Sequence, residues 1–93
     1  MRSDTMKIKE GFVLREVANQ AMVIAVGEAS KSFKGMIKMN HTSKDIWNHI
    51  KAGLDEEGVV SEMAKKYEVK EDIIRKDVKY IVGVLKEHHI IED

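Results

Sequence analysis

MNHTSKDIWNHI, Met39–Ile50, is the stretch at which the chain changes period. Before it, apolar residues alternate in twos; from Thr42 onward Ile46, Trp47 and Ile50 recur at helical spacing. Thr42-Ser43-Lys44-Asp45 resembles a capping box with Asp where Glu is usual, so a helix is expected to start there, with Gly53 as its natural C-cap. Trp47 falls on the apolar stripe and reads as a core anchor rather than a stacking platform. A chain that is strand-like before this point and helical after it belongs to the α+β class, with its sheet at the N-terminal side.

Working back towards the N-terminus, Phe12–Val17 (FVLREV) and Gln20–Glu28 (QAMVIAVGE) are β-prone runs separated by Ala18-Asn19. That pair predicts a tight hairpin, because Asn tolerates positive φ. The unbroken apolar run Ala21–Val26 suits a middle strand covered on its faces. In Ser32–Asn40 (SFKGMIKMN), Phe33, Ile37 and Met39 share one parity, and Lys34, Met36 and Lys38 share the other. This predicts a third, edge strand whose lysines discourage indiscriminate pairing.

Working forward, Asp55 can cap a second helix on which Val59, Val60, Met63, Ala64 and Tyr67 line one stripe. A third helix is expected from Glu71 to Glu87, seated on the core by Ile74, Val78, Ile81, Val82 and Leu85. Ile90 and Ile91 close the domain, and residues 1–10 read as a loose N-terminal segment. Ile73, Tyr80 and Val84 follow i, i+7, i+11 beside the core stripe, with Lys76 and Gly83 on the same side. Spacing alone admits two readings: a wide core stripe or a second working surface. An interior Gly costs roughly 1 kcal/mol against Ala, so Gly83 calls for a packing or functional reason.

The 93 residues, 43% hydrophobic and 34% charged, fit one globular domain over 1–93 with a modest core. The absence of cysteine removes disulfides, thiolate nucleophiles and cysteine-bound metal, and agrees with a cytoplasmic location. No apolar run approaches the roughly 18 residues of a membrane span. Sixteen basic and sixteen acidic residues balance, which disfavours nucleic acid as a partner.

Signs of catalysis are thin. His41, His49, His88 and His89 are the imidazoles, and no H-E-x-x-H or glycine-rich phosphate loop is present. Adjacent His88 and His89 point about 100° apart on a helix, unsuited to one metal. The carboxylates Asp55-Glu56-Glu57 and Glu71-Asp72 occupy helix starts, where negative charge is structurally favourable. The expectation is no catalytic residue, no metal, no cofactor and no enzyme activity.

MNHTSKDIWNHI, followed by GVVSEMAKKYEV and KDVKYIVGVLKEHHII, resembles the PqqD-like family, pyrroloquinoline quinone biosynthesis protein D. The resemblance runs from about Gly11 to Glu92 and rests on Met39-Asn40 ahead of Ile46-Trp47, on Lys66-Tyr67, and on Asp77-Val78 followed by Ile81-Val82 and Leu85. It implies a winged helix-turn-helix fold, a three-stranded antiparallel sheet followed by three helices. It also implies a peptide chaperone, a recognition element that binds the leader of a ribosomally made precursor peptide and presents it to a modifying enzyme, often a radical S-adenosylmethionine enzyme. In the family the leader adds to the edge of the third strand, in the groove with the third helix. Here that implies contacts along Lys34, Met36, Ile37, Lys38 and Met39, and from Ile73, Lys76, Tyr80, Gly83 and Val84, with Arg75 and Lys79 as further charge contacts. Two readings stay open beside it: a DNA-binding winged helix, and a homodimer formed through the open strand edge.

Overall fold

The structure, a computed structural model, describes residues 6–33 and 35–92. Its elements are β1 (Lys7–Ile8), β2 (Phe12–Val17), β3 (Gln20–Ala25), a 3-10 turn (Gly27–Lys31), β4 (Met36–Met39), α1 (His41–Lys51), α2 (Glu56–Tyr67), α3 (Glu71–Glu87) and β5 (Ile91–Glu92). Strands β2, β3 and β4 form an antiparallel meander in that order, and the three helices follow it as a winged helix-turn-helix.

The hairpin lies where Ala18-Asn19 predicts it. Val17 faces Gln20, and both loop residues take left-handed backbone, φ 53° and 67°, which matches the twist of the flanking strands. One face of the meander carries Phe12, Ala21, Val23 and Met39 into the core, where Ile46, Trp47, Ile50, Val59, Val60, Met63, Val78 and Leu85 meet them from the helices.

Four expectations need correction. The third strand is shorter than Ser32–Asn40: the 3-10 turn carries the chain out of the sheet through Lys31, and pairing with β3 starts only at Met36. Helix α1 begins at His41 and its N-cap is Asn40, whose side chain accepts the Ser43 N–H at 2.8 Å, so Thr42 lies inside the first turn. Residues Met6–Glu10 are not loose. Met6 is buried, β1 pairs antiparallel with β5, and the Lys9 N–H donates to the Ile90 carbonyl at 2.9 Å. Finally, β3 is covered on one face only, since Met22 and Ile24 pack outside the core.

The turn between α2 and α3 is set by Glu68, which closes α2 in left-handed backbone at φ 56° and donates its N–H to the Ala64 carbonyl. Asp55 caps the other end of α2, accepting the Gly58 N–H at 2.8 Å as the sequence predicts.

Candidate functional site

Strand β4 pairs with β3 through Met36↔Ile24, Ile37↔Val23, Lys38↔Met22 and Met39↔Ala21, and lies at the edge of the sheet. On an antiparallel edge, alternate residues direct both N–H and C=O away from the sheet, which is a template for one more strand. Along it, Met36 is 53% exposed and Lys38 is exposed, Ile37 is half-buried against the core, and Met39 is only 3% exposed. Met39 therefore has backbone, not side chain, to offer. Lys34 lies outside the described residues.

Helix α3 has two flanks with different fates. On one, Arg75 bonds Glu57 and sits 3.6 Å from Glu71, while Lys79 reaches Glu56 at 3.0 Å, so this flank is tied to the first turn of α2. At about 100° per residue, Ile73, Tyr80 and Val84 fall on the other side of the core stripe. Ile73 is 58% and Tyr80 69% exposed, and Val84 is half-buried without packing on the core. The second face foreseen from spacing is thus solvent-facing rather than a wide core stripe.

Lys76, one turn from both Ile73 and Tyr80, and Gly83, one turn from Tyr80, lie along the outer margin of that stripe. Gly83 lies about 100° round the helix from Val84. It is exposed, and a Cβ built on it meets nothing within 4 Å. No neighbour in the fold requires the glycine. Lys76 is exposed, and neither it nor Lys38 forms an ion pair among the described residues.

The C-terminal end of α3 is brought to the approach of β4 by rings. Phe33, just ahead of the strand, stands edge-on to His88 at 5.6 Å and edge-on to Phe12 at 5.6 Å. The edge strand and the helix are therefore joined at one end through Phe33.

A second cluster, invisible to spacing rules, holds α1 to α2. Asp45 is buried, and its carboxylate accepts from the Tyr67 hydroxyl and pairs with Lys66 at 2.8 Å, while His41 lies 3.7 Å away. Burial pushes the Asp45 pKa up, but the bonds from Lys66 and Tyr67 together leave it below its ordinary value. Tyr67 is shifted up, by burial first and then by the carboxylate. Across the molecule, Lys44 of α1 reaches Glu16 of β2 at 2.8 Å, and that hydrogen bond outweighs the cost of burial to raise the Lys44 pKa. These contacts fix the helices on the sheet and leave the β4 edge untouched.

An open edge strand beside a helix with an unpartnered apolar flank defines a winged helix-turn-helix of the kind suited to capturing an extended segment. The chain belongs to the coenzyme PQQ synthesis protein D (PqqD) family, whose model matches residues 14–91. No curated protein matches the chain at a significant level. Among solved structures, TbiB1 in complex with the TbiA(beta) leader peptide is similar in fold, with a TM-score of 0.74 over 92% of this chain and 94% of that one at 15% identity. No described helix is long and apolar enough to cross a membrane.

Proposed function

We propose that this protein is a non-catalytic, cytoplasmic chaperone that binds the leader of a ribosomally made precursor peptide and presents it to a modifying enzyme, of the radical S-adenosylmethionine type in the family's usual arrangement. The leader adds as a strand to β4, hydrogen-bonding along Met36 to Met39. Alternate leader side chains rest on Ile73, Tyr80 and Val84, and Lys38 and Lys76 meet leader carboxylates. The observation that carries this reading is the coexistence of an unpaired β4 edge with an exposed Ile73–Tyr80 flank on α3. Membership of the PqqD family and the leader peptide bound to TbiB1 support it. Exposed main-chain bonding groups supply affinity in such strand addition, and the pockets beside the strand supply selectivity.

Arg75 and Lys79 have a smaller part than the sequence suggests, because carboxylates of α2 already hold them. The same pairing weakens the DNA-binding alternative, which draws on Arg75, Lys76 and Lys79 for phosphate and is left with Lys76 alone of the three unpaired among the described residues.

Titration with a short acidic, amphipathic leader peptide, followed by calorimetry, tests the proposal. Micromolar or tighter binding is expected, with Val84→Asp and Gly83→Leu each weakening it while both variants stay folded by circular dichroism. Full binding by both folded variants removes the groove. A loss of association as salt rises is expected from Lys38 and Lys76; salt-independent association removes their role.

A further inference from the structure

The face of the meander turned away from the helices is more apolar than an exposed antiparallel sheet face normally is. Parity puts Val13, Arg15 and Val17 of β2, Gln20, Met22 and Ile24 of β3, and Met36 and Lys38 of β4 on it. The register stacks them in rows: Val13, Ile24 and Met36 lie side by side across all three strands, and Arg15, Met22 and Lys38 form the next row. Val17 at the hairpin end is 62% exposed. Val13, Met22 and Ile24 are half-buried, and none packs on the core. The fold therefore carries an apolar row outside its core, with the end of α1 beside it only at Val13.

Two features select the occupant. Arg15 and Lys38 flank Met22 in register, and neither forms an ion pair among the described residues, unlike Lys44, Lys66, Arg75 and Lys79. A second copy packed face to face about a two-fold axis through Met22 would bring the same cationic row against itself, which is unfavourable. A different protein with carboxylates around an apolar patch complements both rows. The face is also continuous with the β4 edge, because Met36 and Lys38 belong to both. A strand added to β4 extends the apolar row by its own outward residues, since side chains alternate across a sheet.

Resting on the leader-binding reading, we infer that this outer sheet face, widened by the bound leader strand, is the docking surface for the peptide-modifying enzyme. The enzyme then meets a composite surface of chaperone and leader, so loading of the peptide strengthens docking without any change in the fold.

The test uses the full chain with a leader peptide that it binds and a radical S-adenosylmethionine enzyme that modifies the same precursor, measuring each binary affinity and the enzyme's affinity for the leader-loaded chain. The variants are Arg15→Glu and Val13→Thr, both on β2 and remote from the β4 edge. Expected results are a loss of about tenfold or more in enzyme affinity for Arg15→Glu, a smaller loss for Val13→Thr, unchanged leader affinity for both, and tighter enzyme binding to the loaded parent than to the empty one. Unchanged enzyme affinity in both folded variants, or no enzyme binding by the parent, overturns the inference alone while leader binding stands. No leader binding by the parent overturns the proposed function and this inference together. Sedimentation showing a parent dimer that Arg15→Glu dissociates would assign the face to a second copy, and would also overturn it.

Discussion

The two flanks of α3 are built from the same helix and the same turns, yet one is closed and the other open. Arg75 and Lys79 are satisfied by Glu57 and Glu56, so the helix-turn-helix pair completes itself on that side. Ile73, Tyr80 and Val84 have no such counterpart. In a DNA reader the cations would be kept for phosphate and the apolar residues buried; here the assignment is reversed. What differs is not propensity but where α2 crosses α3, which decides the flank left for an outside partner.

The comparison can be broken most forcefully at the core stripe between the flanks. Leu85 is fully buried, so Leu85→Ala should cost about 2–5 kcal/mol in chemical denaturation. A loss below about 1 kcal/mol would mean that α3 is not seated as described.

The anchor of α2 comes next. Asp45→Asn should destabilise by roughly 1–3 kcal/mol at neutral pH, because Tyr67 and Lys66 lose a buried carboxylate. The folded-state pKa of Asp45 is lowered, so its contribution is present above the unfolded value of about 4 and disappears as pH falls through the folded one. Denaturation of parent and variant across the acid range should therefore converge, and parallel curves would remove the carboxylate from the account.

On the open flank, Tyr80→Ala should leave stability within about 0.5 kcal/mol of the parent and weaken leader binding about tenfold. Loss of stability with binding retained would turn Tyr80 into a packing residue. Gly83→Ala sharpens the same point more gently: with open space around the site, helix propensity predicts a gain of up to about 1 kcal/mol in unfolding experiments. A loss instead would mean that a neighbour occupies the space. On the closed flank, Glu56→Gln should have the smallest effect, detectable at low salt and gone at about 1 M, as an exposed pair with Lys79 requires.

Local signals carried most of this fold. The two-residue hairpin was legible because Ala18-Asn19 stands where both residues must take positive φ, and α3 was legible because five apolar residues keep one helical period. The shortening of β4 was not, because alternation in Ser32–Asn40 continues through a segment whose 3-10 turn removes it from the sheet. Candidate site residues fared unevenly for the same reason. Ile73 and Tyr80 follow from the period of one helix, whereas the capture of Arg75 and Lys79 depends on a crossing between two helices. Asp45 joins Lys66 and Tyr67 on another helix, and no spacing rule reaches that far.

The small ribbon of β1 and β5 has a mechanical meaning. It sets Ile8 against Ile91, so the path into the meander and the path out of the last helix meet at one place. A flanking sequence joined at either side is held at the same corner, and closing the domain into a loop of a larger protein asks for little extra ordering of chain. Tension across those two points would peel a two-residue ribbon first and spare the meander. As a piece of molecular hardware, the domain is a clip pinned by the β1–β5 ribbon, with the β4 edge left open.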